Sequence, residues 1–123
     1  LLLVEALSGE DVVASAFFMV GQNTLYGRYW GADEEVPALH FEVCYYQGIE
    51  FAIERGLSVF EPGAQGEHKI SRGFLPVRTR SYHWIGHEAF RDAIARHVVL
   101  ENQQMESYIR SCEARSPYRV AAC

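Results

Sequence analysis

The chain changes character at residues 61–74, which read Glu61-Pro62-Gly63-Ala64-Gln65-Gly66-Glu67-His68-Lys69-Ile70-Ser71-Arg72-Gly73-Phe74. Four glycine or proline residues interrupt this stretch, and among them stand a carboxylate, an imidazole, an ammonium and a guanidinium group. Such a composition is typical of an exposed loop that carries function, because it is too interrupted for a core element. We therefore expect this loop to line the functional site. A strand-rich half precedes the loop, and one strand and a long helix follow it.

The residues before the loop predict a sheet followed by a helix. Runs of apolar and aromatic residues, separated by polar turns, predict antiparallel strands over 1–7, 12–20 and 24–30. Pro37, which follows two glutamates, predicts a helix that runs to about Arg55, with Gly56 as its C-cap. The short apolar run 57–60 predicts a buried parallel strand, joined by a right-handed crossover.

The residues after the loop predict one more strand and one long helix. Residues 67–72 could form a helical turn, residues 79–85 predict a last strand, and residues 87–112 predict an amphipathic helix. The whole pattern predicts an α/β fold in the order β-β-β-α-β-loop-β-α, with a mixed, mostly antiparallel sheet and flanking helices. A length of 123 residues favours a single domain over 1–123.

The net charge of −5 is distributed unevenly along the chain. Residues 1–63 carry ten acids and two bases, whereas residues 64–123 carry six acids and nine bases. Four bases and no acid occur between Lys69 and Arg80. Four charges are a small footprint for nucleic acid, but they suit a phosphate or a carboxylate group. Pairing with the acidic first half of the same chain is an equally good interpretation.

The cysteines and the hydropathy of the chain indicate in which cellular compartment the protein is found. The chain has only three cysteines, an odd number, and their spacing is not that of metal ligands. This usage predicts reduced thiols in a cytoplasmic protein. We expect Cys44 and Cys112 to pack in the core. No apolar run reaches the length of about 18 residues that crosses a bilayer. Residue 1 already lies inside a predicted strand, so we expect the chain to be the C-terminal portion of a longer protein.

The loop offers a base and an anion-binding group. His68 could accept a proton from an attacking amine, because imidazole titrates near neutral pH, or it could be an exposed side chain that only forms hydrogen bonds. Lys69 and Arg72 are three residues apart and lie beside Gly63 and Gly66, whose backbone a ligand can approach closely. These four residues predict a phosphate or carboxylate site, and the alternative is a solvated basic turn.

The first predicted helix carries a polar line. Glu42, Tyr46 and Glu50 follow one another at intervals of four residues on a helix that is otherwise largely apolar. This line could face a substrate cleft, where a glutamate or a tyrosine would act as a base or orient the substrate. The alternative interpretation is that these three side chains form the solvated face of the helix.

A metal site and a cysteine nucleophile are not expected. His83 and His87 form an HxxxH pair, but Gly86 separates them and a third ligand is missing. Cys44 lies beside two tyrosines without any partner that would mark a nucleophile. The sequence also contains no GxSxG motif, phosphate-binding P-loop or dinucleotide fingerprint.

Several motifs together resemble a known family. They are Tyr29-Trp30-Gly31, Leu39-His40-Phe41-Glu42, Tyr45-Tyr46-Gln47-Gly48-Ile49-Glu50, Gly56-Leu57, the GAQGEHK and RGF motifs of the loop, and His83-Trp84-Ile85. With these motifs the chain resembles the bacterial FemAB-like proteins of the GNAT N-acyltransferase superfamily, which are described as peptidoglycan biosynthesis or recognition proteins. The resemblance extends from about Gly27 to Tyr118. It implies the C-terminal portion of a two-part acyltransferase about three times as long.

The resemblance implies a GNAT-like sheet in which strands 24–30 and 57–61 are parallel and splay apart around an acyl donor. Donor groups in that superfamily lie at the start of the intervening helix, where a basic, glycine-rich turn holds a pyrophosphate. Residues 31–37 of this chain are instead acidic, and Pro37 removes a backbone donor. Acyl-CoA and aminoacyl-tRNA both remain candidate donors, and the missing turn fits aminoacyl-tRNA better.

The implied reaction is attack of an amine, such as that of a cell-wall precursor, on an activated acyl carbonyl. The candidate bases are Glu67 and His68. The candidate substrate-binding residues are Glu42, Tyr46, Gln65, Gly66, Lys69 and Arg72. The alternative is a catalytically silent GNAT-like module that binds a ligand or has a structural role. We expect the 123-residue chain alone to be inactive, and the exposed edge of strand 1–7 predicts a homodimer.

Overall fold

The computed structural model describes residues 1–63 and 66–118. The chain separates into two compact units, Leu1–Gln65 and Gly66–Cys123. The single domain that we expect from the chain length stays a prediction.

The first unit contains a four-stranded sheet of order β1-β2-β3-β4. Its strands are β1 (Leu2–Ser8), β2 (Asp11–Val20), β3 (Thr24–Ala32) and β4 (Val59–Glu61). The pairs β1–β2 and β2–β3 are antiparallel, whereas β4 lies parallel to β3. The predicted α/β fold with a mixed, mostly antiparallel sheet is therefore confirmed, and so are its first four strands.

A continuous helical run over 39–54 joins β3 to β4. It consists of α1 (Leu39–Phe41), a π-helical segment (Glu42–Tyr46) and α2 (Gln47–Glu54). Gly56 follows with a φ of 65°, and the amide of Leu57 donates to the carbonyl of Ala52 at 2.8 Å. This is the left-handed C-cap that the sequence predicts. The π-helical segment is not predicted, because the apolar spacing is compatible with an unbroken α-helix.

The core of the first unit lies between the sheet and the helical run. Its buried members are Ala16, Phe18, Leu25, Val43 and Ala52. Gly48 is also buried, and a Cβ atom added there would lie 2.7 Å from the ring of Phe60. Only glycine therefore allows the helix to approach β4 this closely. Cys44 packs against the same cluster, as predicted.

The second unit contains a 3-10 helix (Glu67–Arg72) and α3 (Glu88–Glu113). Both agree with the predicted helical turn and the predicted long helix. Cys112 is buried, as predicted. Several members of the predicted apolar stripe of α3 are nevertheless exposed, among them Phe90, Val98 and Met105.

The predicted strand over 79–85 is wrong. These residues belong to a segment without regular secondary structure. Threonine, tyrosine, tryptophan and isoleucine favour strands, but a strand exists only when a neighbouring strand accepts its backbone hydrogen bonds. Within the described chain, residues 75–86 form no backbone–backbone hydrogen bond, so the strand-forming sequence lies there without a paired neighbour.

Candidate functional site

The parallel strands β3 and β4 part after three residue pairs. Thr24 pairs with Val59, Leu25 with Phe60, and Tyr26 with Glu61. β3 then continues to Ala32, whereas β4 ends. Pro62 follows β4 and has no N–H to donate, so the ladder cannot continue through it. A Cβ atom added to Gly27 would lie 3.4 Å from Cα of Pro62, so the two chains are still in contact one residue beyond the last pair.

A surface depression of about 840 Å³ opens at the end of β3, and residues 30–41 line it. Trp30 and His40 form part of its wall, and their rings meet edge to face with centroids 5.3 Å apart. The ring of His40 also contacts Tyr45, which is buried in the helical run. The wall of the depression is thus attached to the core of the first unit.

The charge of this depression is negative. Asp33, Glu34 and Glu35 are exposed within it, and its lining includes no lysine or arginine. α1 begins behind Pro37 and Ala38, and Ala38 has a φ of 65°. A pyrophosphate needs positive charge and converging backbone N–H groups. The depression offers carboxylates instead, which disfavour a doubly charged phosphate group.

Glu42 and Tyr46 stand at the two ends of the π-helical segment. Both side chains are exposed, and Nε2 of Gln47 donates to Oε1 of Glu42 at 2.9 Å. The amide of Gln47 donates to the carbonyl of Glu42, which is the five-residue spacing of a π-turn. Isolated π-turns are frequent at functional sites. The two predicted substrate-binding residues of the helical run therefore mark an irregular part of it.

The predicted site residues of the second unit lie on the 3-10 helix, which is flanked by Gly66 and Gly73, with φ values of 102° and 89°. The imidazole of His68 lies over Gly66, and a Cβ atom added to Gly66 would be 3.0 Å from either ring nitrogen. The carbonyl of His68 accepts hydrogen bonds from Ser71 Oγ and Arg72 Nη1, both at 2.9 Å. The glycine therefore makes room for the imidazole.

Lys69 and Arg72 are the predicted anion-binding residues of this helix. A 3-10 turn places residues i and i+3 on the same side, as the sequence interpretation requires. Nη1 of Arg72 also lies 3.2 Å from Ser71 Oγ, so part of the guanidinium group is directed to its own helix. Gln65, the remaining predicted substrate-binding residue, lies outside the described residues.

Glu67 forms an ion pair that the sequence does not predict. Its Oε2 lies 2.9 Å from Nη1 of Arg115, and Nη2 of Arg115 lies 3.5 Å from Sγ of Cys112. The hydrogen bond and the charge of Arg115 lower the pKa of Glu67. The pKa of Tyr108 is raised, first by its hydrogen bond with Cys112. These partners lie more than forty residues from Glu67 in the chain, so no local motif could reveal them.

The HxxxH pair has two separate local roles. Nε2 of His83 lies 3.1 Å from Ser81 Oγ, and Nδ1 of His87 accepts the amide hydrogen of Phe90 at the start of α3. His87 is thus the N-cap of that helix. In residues 1–63 and 66–118, no three histidine, cysteine or acidic side chains are grouped as metal ligands would be.

No helix in the described part of the chain has the length and apolarity that crossing a membrane requires. The search of curated proteins and the search of solved structures return no significant match. The sequence profile of one family, described as FemAB-like and assigned to peptidoglycan biosynthesis or recognition, matches residues 1–120. This match covers nearly the whole chain and confirms the resemblance carried by the motifs of the helical run and the loop. The chain belongs to the FemAB-like peptidoglycan biosynthesis/recognition family.

Proposed function

We propose that this chain is part of an N-acyltransferase that transfers an acyl or aminoacyl group to an amine, with a cell-wall precursor as the acceptor. The observation that carries the proposal is that β4 ends where Tyr26 pairs with Glu61, whereas β3 continues to Ala32. Membership of the FemAB-like family supports the same chemistry in general terms.

The parting matters because it leaves one edge of β3 without a strand. Among residues 1–63 and 66–118, β3 pairs beyond Tyr26 only with β2. Backbone N–H and C=O groups on the other side can therefore pair with an extended ligand that contains amide bonds, as an added strand would. An acyl donor or a peptide of the acceptor fits this chemistry.

The donor that we propose is an aminoacyl-tRNA rather than an acyl-CoA. The depression at residues 30–41 is acidic, and Pro37 supplies no backbone donor near its helix start. A pyrophosphate held there would meet Asp33, Glu34 and Glu35. An aminoacyl ester on a terminal ribose reacts at a carbonyl that no pyrophosphate has to position, so the acidic loop does not oppose it.

The proposed reaction forms a C–N bond between the acceptor amine and the acyl carbonyl carbon, and it breaks the ester bond to the donor ribose. The base removes one proton from the attacking amine, and that proton can pass to the leaving ribose oxygen. We assign the base to His68 before Glu67, because the pairing with Arg115 lowers the pKa of Glu67 and so weakens it as a base. Lys69 and Arg72 would stabilise negative charge on the carbonyl oxygen.

We propose substrate-binding residues for each unit separately. Glu42 and Tyr46 would contact substrate in the first unit, and Gln65, which lies outside the described residues, is assigned by its motif alone. Gly66, Lys69 and Arg72 would contact substrate in the second unit. Each is tested by its own substitution, since the assignment of one residue does not depend on that of another.

A second candidate function is a catalytically silent module that binds a cell-wall ligand. One observation favours it: Glu67 is paired with Arg115 just after the C-terminal helix, which is an arrangement suited to a structural loop. In this second candidate function the proposed substrate-binding residues still bind the ligand, but no residue acts as a catalytic base.

We also propose that the chain self-associates through β1. In the part of the chain that the structure describes, this strand pairs with β2 alone and is one edge of the sheet, and Leu3 and Leu7 are exposed on it. An exposed apolar edge strand is a template for pairing with another strand.

The test of the transferase is ligand-dependent stabilisation, measured as the shift in melting temperature with acetyl-CoA and with a charged tRNA in parallel. Stabilisation by the charged tRNA that is lost in Lys69→Ala and Arg72→Ala, but kept in the control Arg91→Ala on α3, supports the proposal. Stabilisation by acetyl-CoA alone would overturn the choice of donor. A cell-wall peptide that binds without any transfer to its amine would favour the silent module.

A further inference from the structure

The segment 75–85 has the properties of a strand that lacks its neighbour. Its side chains include Val77, Tyr82 and Trp84, which are 82%, 88% and 87% exposed. In the described structure its backbone forms no hydrogen bond to another backbone group. Its composition of valine, threonine, tyrosine, tryptophan and isoleucine favours extended pairing.

This exposure is unfavourable in water, since each large apolar side chain that becomes buried gains about 1.5–3 kcal/mol. The polar backbone of an extended segment is also able to pair with any free strand edge. A segment with both properties is therefore suited to add to a sheet.

We propose that residues 75–85 of one copy of the chain add as a strand to the free edge of β1 in a second copy. The inference rests on the proposed self-association through β1 and names the segment that covers the edge. β1 presents the matching chemistry, because Leu3 and Leu7 are 55% and 61% exposed and Glu5 lies between them on the same face.

The opposite charges of segment 75–85 and of β1 favour this pairing. No acidic residue occurs between Phe74 and His87, whereas β1 carries Glu5 and no base. Arg78 is already paired with Glu106 at 2.9 Å, but Arg80 has no carboxylate partner among the described residues. An ion pair between Arg80 and Glu5 of the second copy would therefore use charges that the separate copy leaves exposed.

This ion pair also defines a register. If the strands are antiparallel and Arg80 lies opposite Glu5, Tyr82 lies opposite Leu3 on the same face, because side chains alternate between faces. An aromatic residue opposite a leucine is a favourable cross-strand pair. One strand pairing is a small interface that leaves one segment and one β1 edge free in each pair, so we expect weak association that can extend beyond the dimer.

The experiment is sedimentation equilibrium of the 123-residue chain over concentrations up to about 1 mM, where an interface of this size populates the dimer. The variants are Arg80→Glu, Glu5→Arg and the two combined in one chain. We expect each single reversal to weaken dimerisation roughly fivefold, and the combination to restore it. Arg91→Glu, which changes the net charge equally from an exposed position on α3, is the matched control and should have no effect.

Trp84 provides a second measurement. In a Trp30→Phe background its fluorescence should move to shorter wavelength as the concentration rises, because pairing removes an exposed indole from water. If the dimer forms without this change in fluorescence, or if Arg80→Glu does not weaken dimerisation, the chain associates through another surface. A chain that stays monomeric at every concentration would overturn both this pairing and the proposed self-association.

Discussion

Nη1 of Arg115 lies 2.9 Å from Oε2 of Glu67, so the first residue of the 3-10 helix is joined to a residue just beyond α3. Two exposed side chains form this pair, and the net stabilisation from such pairs is small. Its greater effect is on protonation, because the guanidinium group favours the charged carboxylate and lowers the pKa of Glu67.

Removing Arg115 should raise the pKa of Glu67 toward the ordinary value of 4.5. We expect Arg115→Ala to show this in a pH titration of the side-chain carboxyl carbon by NMR. The pKa is lower in the folded chain than in the unfolded chain, so the stabilisation is present above the unfolded pKa and is lost as the pH falls through the folded pKa. Arg110→Ala should leave the titration of Glu67 unchanged, and an identical curve in Arg115→Ala would contradict the assignment.

Gly66→Ala should destabilise the second unit and displace the imidazole of His68. The new methyl group would meet the ring of His68, and a φ of 102° is unfavourable for alanine. We expect a loss of about 1–3 kcal/mol in the free energy of unfolding, together with changed NMR shifts of the His68 ring.

Gly9→Ala is the matched control for backbone strain. Gly9 also has a positive φ, of 66°, but an added Cβ atom would meet nothing within 4 Å. The difference between the two variants therefore combines the contact with His68 and the greater backbone strain of alanine at a φ of 102° and a ψ of 105°. Equal losses in both, with unchanged His68 shifts, would show that the ring does not lie over Gly66.

Gly48→Ala should destabilise the first unit, although alanine is favoured over glycine in helices by about 1 kcal/mol. The added Cβ atom would lie 2.7 Å from one carbon of the Phe60 ring and 3.3 Å from the ring of Phe18. We expect a net loss of about 1–3 kcal/mol in chemical denaturation, as for other overpacked cores.

A second substitution can test the cause of that loss. Phe60→Leu removes the ring that the new methyl group would meet, so Gly48→Ala should cost less in the Phe60→Leu background than in the original chain. If the cost is the same in both backgrounds, the contact with Phe60 is not its source.

The assignment of the base predicts a ranking of transfer rates. We expect His68→Ala to lower the rate of amide formation by about 10²–10⁴-fold, since this is the usual contribution of a general base. Glu67→Gln should cost much less, because its carboxylate is paired with Arg115. The rates would be measured in the two-part acyltransferase that the family resemblance implies, by following transfer of a labelled amino acid from tRNA. A loss in Glu67→Gln as large as in His68→Ala would place the base at Glu67 instead.

Much of the first unit can be predicted from sequence because its signals are local. Apolar runs separated by polar turns mark three strands, and Gly56 marks the helix end at the position where a positive φ is observed. The glycines beside the 3-10 helix also mark its loop correctly. The strand predicted over 79–85 is not observed, because β-propensity is a property of one segment, whereas a strand also needs a second segment to pair with.

The candidate site is less predictable, because its defining contacts join distant residues. The spacing of Lys69 and Arg72 indicates that they share one side of a turn, but nothing near Glu67 indicates Arg115. The π-turn at Glu42–Tyr46 is equally hidden, because apolar spacing alone does not show one extra residue in a helix.

That extra residue has a consequence for insertions and deletions. A π-turn contains one residue more than an α-helical turn, so loss of one residue within 42–46 could be absorbed by reverting to a regular helix. A deletion outside 42–46 but before Gly48 has no such extra residue to use, so it would rotate the residues of α2 relative to α1 by about 100°. Gly48 would then no longer face Phe60. We infer that the spacing between the start of this helix and its packing face tolerates substitution far better than any change in length other than loss of that one residue.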